Sequence, residues 1–159
     1  MKHVPGWQKT NPWHWLAMGL GSGLAPKAPG TFGSLAGLIL WVPLSALPLT
    51  LYATLVVCAG VLGIYICDRV SSDMKVHDHS AIVWDEFVGL WIGLFALPLN
   101  WTTAVLGFAF FRLFDIWKPW PIGQLDRNMK GGLGIMLDDV LAGAYTLIVM
   151  HLLQSFVLG

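Results

Sequence analysis

The sequence predicts an all-α fold, a polytopic membrane helical bundle of about five membrane-embedded helices, with four to six compatible with the spacing. Three observations predict it. Hydrophobic residues make up 56% of the 159 and charged residues 11%, against roughly 25% charged in a typical soluble domain. So few charges leave a soluble domain of this size uncovered. The nine acidic and nine basic residues all fall in three windows: Lys2 to Lys27, Asp68 to Glu86, and Arg112 to Asp139. Between and after these windows run charge-free stretches of 40, 25 and 20 residues, and a helix needs about 20 apolar residues to cross hydrocarbon.

Each helix follows from these stretches. Ala28–Cys67 divides at Leu47-Pro48-Leu49-Thr50, giving helices at about Ser34–Leu47 and Leu51–Cys67. The first is short and carries Pro43, so it is expected to tilt, kink or be partly re-entrant. Phe87–Phe111 is interrupted by Leu97-Pro98-Leu99-Asn100; with flanking residues it gives helices at about Ile82–Leu97 and Thr102–Ile116. Val140–Gly159 suits one last crossing. Two hairpins that leave and return put the three charged windows on one side, and the positive-inside rule makes that side cytoplasmic. Trp7, Trp13, Trp15, Trp117 and Trp120 then belong to the cytoplasmic interface and Trp101 to the other. Trp13–Leu20 suits an interfacial helix.

The chain reads as one membrane-embedded domain over 1–159, with no removable signal peptide. Its formal net charge is zero and it has no long basic run, so it lacks the electrostatic footprint of a nucleic-acid-binding protein. Cys58 and Cys67 lie in one apolar segment without metal spacing and read as buried bystanders. Oligomeric state is not legible.

Four segments carry chemistry. In Gly21–Ser34, glycines let backbone N–H groups approach an anion, and the following helix start adds a favourable dipole. Thr31 or Ser34 suits the cap of that helix. The same glycines and prolines also suit a turn built for shape alone. In His77–Glu86, the pair Asp85-Glu86 opens a strongly apolar helix, where ionisable groups usually face a polar cavity. Gly89 and Gly93 follow at a spacing that lets another helix pack closely. His77 and His79 form an HxH pair, which binds zinc in some settings but in a polar loop is more often no ligand. In Phe111–Pro121, Arg112, Asp115 and Lys118 share a helix face if the helix reaches Lys118, and Arg and Lys are phosphate partners. In Asp126–Asp139, the pair Asp138-Asp139 offers hard oxygen ligands suited to Mg²⁺, or compensates a helix N-terminus.

Carboxylates thus stand at three helix entries on one membrane face, Asp85/Glu86, Asp115 and Asp138/Asp139, which suits metal-assisted attack of water on phosphorus. At Asn11-Pro12-Trp13-His14, Gly21–Ser34, His77–Gly89, Phe111–Pro121 and Asp126–Gly143 the chain closely resembles the phosphatidylglycerophosphatase A family, from about Asn11 to Gly143. The resemblance implies an all-helical enzyme of the bacterial inner membrane. It implies Mg²⁺-dependent removal of the terminal phosphate from phosphatidylglycerophosphate, giving phosphatidylglycerol at the cytoplasmic leaflet. On that basis Asp85, Glu86, Asp138 and Asp139 are expected to bind metal or activate water, with Asp115 joining them. Arg112, Lys118, Lys27 and Thr31 are expected to hold phosphate, and His79 to donate a proton to the leaving alkoxide. The rival readings are a small ion-coupled transporter or channel component, and a structural membrane subunit.

Overall fold

Caps and prolines punctuate the chain into helices. The structure, a computed structural model, describes residues 4–76 and 78–158, and among these every regular element is helical. Helix α1 (Pro12–Ala17) starts at Asn11, whose side chain accepts the Trp13 N–H at 3.1 Å, with Pro12 in the first helical position. A kinked 3-10 turn over Gly19–Leu24 leads into α2 (Pro29–Ser45), again begun by a proline. Pro48 precedes α3 (Leu49–Met74), which stops at the left-handed Lys75. After α4 (Trp84–Gly93), Asn100 caps α5 (Trp101–Trp117) by accepting the Thr103 N–H at 2.8 Å. The short α6 (Ile122–Asn128) precedes α7 (Gly131–Leu153), which runs on into a π turn over Gln154–Leu158.

Two of these helices are long and apolar enough to cross a membrane, α3 and the run Gly131–Phe156, each of 26 residues. Helix α2 is apolar but has 17 residues. The largest departure from expectation is α4: ten residues where Ile82–Leu97 was predicted. Ten residues rise about 15 Å, half the hydrocarbon thickness. The residues before it serve tertiary contacts instead. The Val83 N–H donates to the Ala17 carbonyl at 2.8 Å, and the Ile82 N–H to His79 at 2.8 Å.

The last helix departs the other way. It begins at Gly131 instead of Val140, because Asp68 on α3 accepts the Gly132 N–H at 3.1 Å and satisfies that helix start from outside. Asp138 and Asp139 therefore lie inside α7, not in its first turn, and compensation of a helix N-terminus does not account for them.

Helix α4 is the centre of the bundle, packed between α2 and α7, with Phe87, Val88, Leu90 and Leu94 buried. Its contact with α7 runs through glycine. A Cβ on Gly143 would overlap the Gly89 carbonyl, and one on Gly93 would meet Thr146 at 2.8 Å. This is the small-residue packing that Gly89 and Gly93 foreshadow. Polar ties fix the other neighbours: Trp91 Nε1 donates to the Gly37 carbonyl at 2.9 Å, and Tyr52 OH to the Trp91 carbonyl at 2.6 Å.

The charged windows meet at one end of the bundle. His14 Nε2 lies 3.3 Å from Asp73 Oδ2, Asp68 meets Gly132, and Arg112 meets Glu86. The turns around Pro48 and Pro98 share a cavity at the opposite end, where His151 Nε2 lies 2.9 Å from the Phe95 carbonyl. Between the ends, Ile39, Val57, Val61 and Val105 are all at least 60% exposed, an apolar belt on three helices. Such a belt is what lipid contact calls for.

Candidate active site

Two linked ion-pair groups occupy the charged end. In the first, Glu86 lies buried in the opening turn of α4, placed there by the glycine contact with α7. Arg112 Nη1 donates to both Glu86 oxygens at 2.7 Å and to Asp115 Oδ2 at 2.6 Å. Ser34 Oγ donates to Glu86 Oε2 at 2.5 Å. Helix α2 starts against this group: a Cβ on Gly30 would overlap Glu86 Oε1 and lie 3.3 Å from Arg112 Nη1. No side chain caps α2, whose N-cap is the left-handed Ala28.

In the second group, Lys118 Nζ reaches Asp138 Oδ2 at 2.7 Å and Asp126 Oδ1 at 3.0 Å. Burial works against the ammonium, but hydrogen bonds and attraction from Asp138 and Asp126 outweigh it and raise its pKa above the ordinary lysine value.

Asp115, Asp138 and Asp139 join the groups. Each offers one carboxylate oxygen, and the three atoms lie within 4.8 Å of one another. Asp138 and Asp139 are buried, and Asp138 Oδ1, Asp139 Oδ2 and Asp85 Oδ1 have no hydrogen-bond partner there. Buried carboxylate oxygens without donors are strongly disfavoured. A hard divalent cation such as Mg²⁺ takes oxygen ligands of this type, so the residues present fit one.

The ten residues singled out from the sequence fall into two sets. Glu86, Arg112, Asp115, Lys118, Asp138 and Asp139 stand in the two groups just described. Asp85 lies within electrostatic reach of Asp138 and Asp139. Glu86 has both oxygens engaged by Arg112, and the carboxylates that meet are Asp138 and Asp139 with Asp115, which was expected to join them. His79 is half-buried, and its Nδ1 accepts the Ala81 N–H at 3.1 Å. That bond leaves the proton of the neutral ring on Nε2. Lys27 is exposed in the short loop before α2. Thr31 lies in the first turn of α2, and neither it nor Ser34 is the cap. Lys2 and His77 lie outside the described residues.

The glycine-rich segment resolves into two uses. Gly23 and Gly33 serve packing, since a Cβ on either would overlap Ala81 or Val83. Gly30 borders the ionic groups. Three residues acquire roles that the sequence did not signal. Ser34 read as a cap and is a Glu86 partner. Asp126 shares Lys118. Asp68 holds the start of α7. Only an acidic residue at a helix end marks Asp68, and that signal does not name a partner.

The sequence model of phosphatidylglycerophosphatase A matches residues 15–154. Phosphatidylglycerophosphatase A of Escherichia coli (strain K12) is 50% identical over 143 residues, 89% of this chain and 83% of that protein. The Haemophilus influenzae protein of the same name is 50% identical over 150 residues, 93% of this chain and 92% of its own. A Bacteroides thetaiotaomicron protein provisionally named a phosphatidylinositol-3-phosphatase is 43% identical over 143 residues, 85% of this chain and 89% of that protein. No solved structure matches.

Proposed function

The chain belongs to the phosphatidylglycerophosphatase A family, and from that premise we propose that it hydrolyses phosphatidylglycerophosphate to phosphatidylglycerol and inorganic phosphate with the help of Mg²⁺. The observation that carries the chemistry is the meeting of Asp115, Asp138 and Asp139 within 4.8 Å, with buried oxygens of Asp138 and Asp139 lacking donors. The family match gives the transporter reading no support.

Asp115, Asp138 and Asp139 would hold the metal, with Asp85 beside them. Bound Mg²⁺ supplies charge neutralisation at phosphoryl oxygens and Lewis-acid activation of water. Arg112 and Lys118 bring positive charge to the same place. Arg112 is positioned by Glu86 on α4 and by Asp115 on its own helix, and Lys118 by Asp138 on α7 and Asp126 on α6, so neither has to be ordered when a phosphate arrives. Glu86 and Ser34 act as positioning residues for Arg112. The start of α2, where Gly30 borders Glu86 and Arg112, has no side-chain cap and would offer N–H donors to an anion, with Lys27 and Thr31 adjacent in sequence. Protonation of the leaving glycerol oxygen by His79 would need the imidazolium, which the Ala81 N–H bond to Nδ1 disfavours; the neutral ring can only donate a hydrogen bond from Nε2, with the proton for the leaving oxygen coming from water.

The membrane placement belongs to the same reading. Helices α3 and α7 cross the bilayer, α2 and α5 are embedded with them, and the short α4 is buried among them. The charged end faces the cytoplasm, by the positive-inside rule. That arrangement suits a multi-pass protein of a bacterial inner membrane, which meets its substrate at the cytoplasmic leaflet.

The test is phosphate release by purified protein from short-chain phosphatidylglycerophosphate in neutral detergent. Release is expected with Mg²⁺, to stop with EDTA, and to return when Mg²⁺ is restored. Asp139→Asn should lower kcat about a hundredfold or more, the scale of losing a main electrostatic element of a site. No release by wild type with Mg²⁺ sinks the phosphatase reading. Release that EDTA leaves untouched sinks the metal.

A further inference from the structure

Two cavities flank the Lys118–Asp126 ion pair. One, of about 460 Å³, is lined by Lys118, Trp120, Gly123, Gln124, Arg127 and Asn128. The other, of about 210 Å³, is bordered by Asp126, Arg127 and Lys130 among others. Arg127 lines both.

The cations here differ in their commitments. Arg112 is held by Glu86 and Asp115, and Lys118 by Asp138 and Asp126. Arg127 takes part in none of the ion pairs formed among the described residues, although Asp126 is its neighbour in sequence. Its planar fork of donors matches phosphate oxygens. The larger cavity has Trp120 on its rim, 79% exposed, and Trp117, 68% exposed, lies one residue before Lys118. Exposed tryptophans of this kind favour the headgroup level of a bilayer. The cavity thus has at one side Lys118, which is paired with Asp138 of the carboxylate site, and at another the exposed Trp120.

The proposed substrate carries two phosphates, a terminal monoester and a diester that joins its polyol to diacylglycerol. With the monoester at the carboxylates, the diester must lie one polyol away, on the side of the lipid. We propose that Arg127 and the α6 cavity bind this phosphodiester. The assignment rests on the phosphatase reading and adds a second phosphate subsite to it. It makes Arg127 a specificity-determining residue for monoester lipids whose headgroup also contains a diester. Phosphatidic acid, whose monoester sits directly on diacylglycerol, has nothing to place there.

The test uses the whole chain in neutral detergent, free of other anionic lipid, with wild type, Arg127→Gln, Arg127→Lys and Lys75→Gln. Lys75 is an exposed cation of the same charged region outside the site. Against short-chain phosphatidylglycerophosphate, Arg127→Gln should raise KM about tenfold with kcat nearly unchanged. Arg127→Lys should recover part of the loss, and Lys75→Gln should match wild type. Against short-chain phosphatidic acid, Arg127→Gln should change neither constant. An equal loss on both substrates, or none on either, overturns the subsite. A second readout does not depend on turnover: calorimetric titration with dihexanoyl phosphatidylglycerol, which has the diester and no monoester. It should bind wild type about tenfold more tightly than Arg127→Gln, and equal affinity overturns the proposal. Should wild type bind this lipid through Arg127 yet release no phosphate, the phosphatase reading fails and the diester subsite stands.

Discussion

Lys118 holds a left-handed backbone, with φ of 47°, at the residue that ends α5. Glycine adopts that conformation without penalty, whereas a residue with a Cβ is disfavoured by roughly 1 kcal/mol. The lysine is kept in spite of this because its ammonium bridges Asp138 and Asp126. The two effects separate by substitution. Lys118→Ala and Lys118→Gly both remove the ammonium and should lower kcat about a hundredfold. They differ in backbone alone, so the glycine variant should be more stable than the alanine variant by about 1 kcal/mol. Thermal unfolding in detergent measures the difference; equal stability would mean the left-handed turn carries no cost. At this scale the sequence announced the participants well, because charges in so apolar a chain are conspicuous. It did not announce the pairs. Lys118 meets Asp138 twenty residues on, and Arg112 meets Glu86 twenty-six residues back, and such pairings depend on how whole helices pack.

The element that organises the site is the contact of α4 with α7. Gly143 follows Asp139 by four residues on one face of α7, and Gly89 follows Glu86 by three on one face of α4. The glycine contact therefore sets the distance between the carboxylates of the two helices. Gly143→Ala would drive a Cβ into the Gly89 backbone, where no flexible side chain can yield. It should cost about 1–3 kcal/mol, the range for overpacking a filled interior. Activity should fall with it, because the helices can relieve the clash only by separating Asp139 from Glu86. A variant with unchanged melting temperature and unchanged kcat would show that the spacing is set elsewhere. The Gly89 and Gly93 spacing was legible as a close-packing signal, and so, to within a residue, were the starts of α1 and α5; α2 begins at Pro29, five residues before the expected Ser34, and neither Thr31 nor Ser34 caps it. The length of α4 was not. Ile82 and Val83 are as apolar as the residues that follow, and what keeps them out of the helix is a hydrogen bond to Ala17, sixty-six residues earlier.

Over the whole molecule, length and charge act together. Helix α3 and the α7 run have 26 residues each, about 39 Å of helix against roughly 30 Å of hydrocarbon. If they cross a bilayer, as proposed above, they must tilt or project, and the residues suited to project are those at the charged end: Asp68 and Asp73 on α3, and the opening turns of α7. The same end gathers the ionic site, so the depth of the carboxylates follows from which end leaves the bilayer. The turns around Pro48 and Pro98 contain no Lys or Arg and suit the opposite side. Single cysteines test this arrangement in a chain with Cys58 and Cys67 replaced by alanine. Lys75→Cys and Lys130→Cys should react with an impermeant maleimide in inside-out vesicles and not in intact spheroplasts. Asn100→Cys, at the start of α5, should do the reverse. Labelling of positions 75 and 130 from opposite sides would split the charged end across the membrane. It would also separate the start of α7 from the end of α3, which the Asp68 bond to Gly132 holds together.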